Sequence, residues 1–97
     1  MYFVYILKSL KDKRTYTGYA KDVSIRFLEH NSGKVKATRK RRPFGLLFIE
    51  KCDNLANAKR REIYWKSGAG RRKLKEYFIK GFPPIPEEWA RLAISPK

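Results

Sequence analysis

Apolar positions run in two short stretches at the start of the chain and then recur at helical spacing. Residues 2–7 and 15–19 are rich in aromatic and β-branched side chains, with polar residues 9–13 between them, which predicts a β-hairpin. Over residues 22–32 the pattern turns helical: Asp22 suits the N-cap, Ile25 and Leu28 fall at helical spacing, and Gly33 suits the stop. Residues 33–43 carry almost no apolar content and read as a loop, followed by a third strand over 44–51. A second helix is expected over 54–66, opened by Asp53 and Asn54. Ser67-Gly68-Ala69-Gly70 breaks it, and Leu74, Tyr77 and Phe78 mark a third helix that ends before Gly81.

The tail cannot continue that helix immediately, with prolines at 83, 84, 86 and 96, although 87–92 has room for a turn or two. The order ββαβαα predicts a small α+β fold, a three-stranded antiparallel sheet flanked by three helices. With no repeat and no long linker, the 97 residues read as one domain, its core over about 2–80 and a Pro-rich tail over 82–97.

Charge narrows the class of partner. Lys and Arg number 24 against 9 Asp and Glu, a net charge of +15, which is the footprint of a polyanion binder. The densest part is the loop, with Lys34, Lys36, Arg39, Lys40, Arg41 and Arg42; Arg71, Arg72 and Lys73 add a second cluster. Nucleic acid is the expected partner. A membrane surface ranks well below it, because no expected helix sets a basic face against a broad apolar one. The longest apolar stretch is far shorter than the roughly 18 residues of a membrane span. Cys52 and His30 are the only residues of their kinds, so neither an internal disulfide nor a Cys/His zinc site is expected, and a cytoplasmic location fits.

Several residues carry possible chemistry. Glu62 falls inside the apolar stripe of Leu55, Ala58 and Trp65 on the second helix, so its carboxylate points inward. Charge spacing by itself favours a different role, an ion pair with Lys66 or Lys59. Arg26 and His30 are four apart on the first helix and share a face. An arginine there neutralises phosphate charge and a histidine passes a proton or holds water; equally, the pair reads as a phosphate contact and a helix-end surface group. Tyr5 and Tyr16 are ordinary strand residues by propensity. A four-residue hairpin loop closed by Lys8 and Lys13 sets them opposite each other on one face, and a five-residue loop puts them on opposite faces.

The order of these residues, Val4-Tyr5, Tyr16-Thr17-Gly18, Arg26, His30 and Glu62, resembles the GIY-YIG nuclease family over about residues 2–80. Each motif is short, but the ordered combination is fairly specific. Two positions depart from the pattern: Phe3 stands where the first motif usually begins with glycine, and Thr17 replaces the central apolar residue of the second. Tyr19 also follows Gly18 where the bacterial excision-repair incision subunit has a lysine. In size the chain is most similar to small stand-alone bacterial members, often called excinuclease-subunit-like.

The resemblance implies a metal-dependent endonuclease, with a place in DNA repair, that cuts a DNA phosphodiester by in-line attack of water. It implies that Glu62 holds one Mg²⁺ or Mn²⁺, that Tyr5 or Tyr16 with His30 prepares the water, and that Arg26 stabilises the transition state. A two-metal mechanism needs converging carboxylates, and the remaining acids are scattered over turns, caps and helix surfaces. The basic loop and Arg71, Arg72 and Lys73 would follow backbone phosphates, on a monomer or weak dimer. The rivals are a non-catalytic DNA- or RNA-binding module and a ribosome-associated basic protein.

Overall fold

The computed structural model describes residues 1–94. Strand β1 (Tyr2–Ser9) lies at the centre of an antiparallel sheet, between β2 (Thr15–Ala20) and β3 (Phe44–Cys52). Val4, Tyr5, Ile6 and Leu7 are all buried because both faces of this strand are covered, which is why the first run is apolar without alternation. Tyr5 and Leu7 pack with Val23 and Phe27 of α1 (Val23–Ser32). Val4 and Ile6 turn the other way, to Ala58 and Trp65 of α2 (Leu55–Lys66) and Leu74 of α3 (Gly68–Lys80). A bulge in β3 after Leu46 lets Leu47 and Phe48 both join the α2–α3 layer while Leu46 stays in the α1 layer.

The hairpin corrects the expected register by two residues. Its four-residue turn is closed by Ser9 and Arg14, with Ser9 N–H donating to the Arg14 carbonyl at 2.9 Å, rather than by Lys8 and Lys13. Ser9 organises the turn, since its buried Oγ accepts from the N–H groups of Lys11 and Asp12 at 3.1 and 3.0 Å. Tyr5 therefore faces Gly18 and Leu7 faces Tyr16. A slip of two preserves parity, so Tyr5 and Tyr16 remain on the same face as diagonal neighbours.

Helix α1 starts and stops as its caps dictate: Asp22 Oδ1 accepts from Ile25 N–H at 3.0 Å, and Gly33 takes the left-handed conformation at φ 86°. Its buried face differs from the expected one. Val23, Phe27 and His30 point inward, whereas Ile25 and Leu28 are 57% and 64% exposed. A single isoleucine and leucine carried the apolar spacing on the sequence; Phe27, four residues after Val23, outweighs them in buried area.

The break between α2 and α3 is a single residue. Ser67 ends one helix and caps the next, and Gly68-Ala69-Gly70 forms the first turn of α3. A Cβ on Gly70 would lie 2.2 Å from the Tyr64 carbonyl oxygen and 2.5 Å from Trp65 Cα, so glycine there permits the close packing of the two helices.

The tail reaches both layers, with Ile85, Trp89 and Leu92 packed in the α1 layer and Phe82 and Ile94 against the α2–α3 layer. A 3-10 helix, Glu87–Leu92, buries Trp89 edge-on against Phe3 with ring centroids 4.9 Å apart, and Ile94 N–H donates to the Leu46 carbonyl at 3.1 Å. Phe3, the departure from the first motif's glycine, is thus a packing partner for the tail. Thr17, the second departure, is buried opposite Ile6. Of the expected tail prolines, Pro96 lies outside the described residues. Among the described residues no helix is long and apolar enough to cross a membrane.

Candidate active site

Gly18 opens the site. A Cβ there would lie 2.6 Å from the Tyr5 hydroxyl oxygen and 3.3 Å from Cε2 of Tyr16, so the Tyr5 phenol lies across the bare backbone of β2 beside the Tyr16 ring. The close approach that glycine permits here is made by a side chain of the neighbouring strand.

Across this gap α1 presents Arg26 and His30. The Tyr5 hydroxyl is 2.8 Å from His30 Nε2, and the Tyr16 ring meets the imidazole edge-on with centroids 5.0 Å apart. Arg26 stands close enough to the Tyr5 hydroxyl for its positive charge to act there, while its Nη1 donates to Glu29 Oε1 at 3.0 Å. Glu62 approaches from α2, close enough for its charge to be felt at Tyr5. Tyr5, Tyr16, Arg26 and His30 are thus brought together, with Glu62 at their border.

Burial sets the protonation of this group. It pushes Tyr5 up to about 12, against the opposing pull of the Arg26 guanidinium, and the Glu62 charge acts in the same direction as burial. His30 is pushed down to about 4 by burial first and by the Arg26 charge second. Both groups are therefore neutral near pH 7, and Arg26 stays charged.

His30 is fully buried, its second ring nitrogen 2.8 Å from Thr38 Oγ1. Of the two roles expected of it, passing a proton or holding water, direct contact with water is not open to a fully buried ring. Thr38 was missed on the sequence: a lone hydroxyl among basic residues gives no local signal, and it enters the site only because the loop folds back over α1.

Glu62 is half-buried, with Lys66 Nζ donating to its Oε2 at 3.2 Å. The ion pair read from charge spacing and the inward placement read from the apolar stripe coexist. Oε1 has no hydrogen-bond partner among the described residues, and no cluster of three or more His, Cys, Asp or Glu side chains lies among them. One free carboxylate oxygen suits a hard cation that keeps most of its waters, and does not suit a soft or fully protein-ligated ion.

The basic loop is less uniform than its sequence. Arg39–Arg41 forms a 3-10 turn docked on the hairpin: Ser9 Oγ donates to the Arg41 carbonyl at 2.6 Å and Lys11 Nζ to the Lys40 carbonyl at 3.1 Å. Arg41, expected to follow phosphate, instead pairs with Asp12 at 2.7 Å and donates to the Thr15 carbonyl, which fastens the loop. Its guanidinium holds the Asp12 carboxyl well below the usual carboxylate range. Arg39 and Arg42 use their Nε groups on backbone carbonyls, at 2.8 Å each, and with Lys11, Lys40, Asn31 and Pro43 line an open cleft of about 630 Å³. Lys34 and Lys36 are exposed nearby. Arg71 and Arg72 are exposed on the first turns of α3, in the layer across the sheet, and do not join this cleft.

A family model described as GIY-YIG catalytic domain matches residues 1–77. A UPF0213 protein of Staphylococcus saprophyticus is 41% identical over 75 residues, covering 76% of this chain and 90% of the relative. One from Staphylococcus epidermidis is 44% identical over the same shares. The solution NMR structure of a UPF0213 protein from Bacillus halodurans is 40% identical, with a TM-score of 0.50, covering 86% of this chain and 89% of that one.

Proposed function

Because the chain belongs to the GIY-YIG catalytic domain family, we propose that it is an endonuclease that hydrolyses DNA phosphodiester bonds by in-line attack of water with one divalent cation. The observation that carries this reading is the hydrogen-bonded Tyr5–His30 pair beside Arg26: a neutral phenol and a neutral imidazole, both buried, next to a fixed positive charge. A purely structural core has little use for such a group, since buried polar side chains cost free energy even when satisfied.

The attacking water gives its hydrogen bond to Tyr5 Oη. As the water oxygen bonds to phosphorus its proton passes to Tyr5 Oη, and the phenol's own proton passes to His30 Nε2. Tyr5 and His30 lie far apart in proton affinity, so no proton crosses in the resting protein, and the relay needs the charge that develops on the reacting phosphate. Arg26 neutralises that charge, and the leaving oxygen departs with the bonding electron pair and is protonated by solvent. Glu62 would hold Mg²⁺ or Mn²⁺, which would supply Lewis-acid charge at the leaving oxygen. Arg39, Lys40 and Arg42, with Lys34 and Lys36, hold the DNA backbone through nonspecific phosphate contacts; Arg71 and Arg72 reach a second segment.

Cleavage of labelled DNA by Glu62→Gln, measured beside equilibrium binding, tests this. Cleavage is expected to fall by at least about a hundredfold with binding and fold retained. Normal cleavage would reduce Glu62 to the ion-pair partner of Lys66, and salt-dependent binding without cleavage in the unaltered protein would leave a nucleic-acid-binding module.

A further inference from the structure

The hydrogen bonds through His30 form one line, with the Tyr5 hydroxyl at Nε2 and Thr38 Oγ1 at Nδ1, each at 2.8 Å. One end of this line has no choice of direction, because the Val35 carbonyl can only accept. It takes the Thr38 hydroxyl proton at 3.4 Å, so Thr38 Oγ1 receives its second hydrogen bond from His30 Nδ1–H. That end demands a proton on Nδ1 and a lone pair on Nε2, which then takes the Tyr5 hydroxyl proton.

We propose that Thr38 is a positioning residue that holds His30 in the Nδ1–H tautomer and thereby turns the Tyr5 hydroxyl proton inward, leaving its lone pair facing the site. The opposite tautomer would place Nε2–H against the Tyr5 oxygen. The phenol would then have to point its proton outward, so that it meets an attacking water first as a donor, with one acceptor site already taken. A side-chain hydroxyl eight residues from His30 thus decides whether Tyr5 meets water as an acceptor or as a donor. Thr38 is fully buried, and its own N–H donates to the Val35 carbonyl at 3.1 Å. Its position is therefore set by the folded loop.

This placement couples the two halves of the site. Thr38 immediately precedes the 3-10 turn Arg39–Arg41; Arg39 and Lys40 of that turn and the following Arg42 line the basic cleft, and Arg41 clamps the turn to Asp12. The segment that carries the phosphate-binding side chains also carries the residue that orients the imidazole. The tautomer stands on hydrogen-bond geometry alone; its consequence for cleavage rests on the nuclease reading.

The single histidine makes the test direct. In the ¹⁵N-labelled full chain at pH 7, long-range ¹H–¹⁵N correlation is expected to show His30 protonated on Nδ1 and bare on Nε2. In Thr38→Val the Nε2–H tautomer should become populated, with the turnover rate lowered by at least about tenfold and KM little changed. Thr38→Ser, which keeps the hydroxyl, should restore tautomer and rate together. An Nε2–H tautomer in the unaltered protein overturns the proposal, even where Thr38→Val fails to fold. So does a Thr38→Val protein that keeps the Nδ1–H form, or a Thr38→Ser protein as impaired as Thr38→Val. A protein with the Nδ1–H tautomer and the Thr38→Val shift but no cleavage under any condition would uphold the tautomer assignment and defeat the nuclease reading separately.

Discussion

The two faces of the sheet are both covered, but they bury different things. Toward α2 and α3 the interior is aromatic and aliphatic: Trp65 meets Phe48 edge-on at 4.9 Å and Tyr77 at 6.3 Å, and Gly70 brings the helices together. Its main polar handle is Glu50, which accepts from Trp65 Nε1 and, through both oxygens, from Arg61, all at 3.0 Å. Toward α1 a phenol, an imidazole and a hydroxyl are buried in line, with no buried side-chain polar atom left unpaired among the described residues. One face supplies stability through packing. The other holds polar groups in fixed directions, a use of interior volume that makes sense at a site and adds little to a scaffold.

Glycine substitutions should separate the faces most sharply. In Gly70→Ala the added carbon meets backbone atoms that cannot swing aside, so about 3 kcal/mol of stability should be lost, read from urea or thermal unfolding. In Gly18→Ala the added carbon meets the end of the Tyr5 ring, which can rotate away at the expense of its bond to His30. The expected loss is smaller, about 1 kcal/mol, with cleavage reduced by more than tenfold. Equal stability losses in the two variants, with cleavage retained in Gly18→Ala, would erase the distinction between scaffold and site.

The next effect is a dependence of stability on pH that belongs to the α1 face. An unfolded histidine takes up its proton near pH 6.5, whereas folded His30 resists until about 4. Between those values the unfolded state binds more protons, so stability should fall as pH falls, with a slope approaching about 1.4 kcal/mol per unit. His30→Gln should flatten that window. Asp12 acts lower: its carboxyl is depressed by Arg41, so its contribution is present above its ordinary value near 4 and lost below it. Tyr5 acts at the other limit, where stability should fall as pH rises from about 10 to about 12 because the unfolded phenol ionises first. A slope between pH 6.5 and 4 that survives in His30→Gln would place the titrating group elsewhere.

The smallest effect sharpens the comparison within the basic loop. Neutralising Arg39 or Arg42 should make the salt dependence of DNA affinity shallower, by a slope of about 0.9 per lost phosphate contact. Arg41→Gln should change the slope less, because that guanidinium is committed to Asp12 and the Thr15 carbonyl. It should instead raise hydrogen exchange at the amides of residues 39–41. Equal slopes in the three variants would mean that Arg41 leaves Asp12 to meet phosphate.

Element order was legible along the chain because its signals are local: the aromatic and β-branched runs of the hairpin, Asp22 and Gly33 around α1, and Asn54 before α2, whose side chain accepts from Asn57 N–H at 2.9 Å. The ordered set from Tyr5 to Glu62 was legible for the same reason, as residue types at readable spacings, and it identified the family. Register, face and burial were decided only by tertiary structure. Ser9 moved the hairpin pairing by two residues, Phe27 rather than Ile25 and Leu28 faced the core, and the tail returned Trp89 to Phe3. So was the partnership of His30 with Thr38 and of Arg41 with Asp12, which lies 29 residues away in the chain. Spacing along a helix or strand follows from backbone geometry alone, whereas the direction in which a buried hydroxyl or imidazole gives its proton depends on which donors and acceptors packing brings within 3 Å.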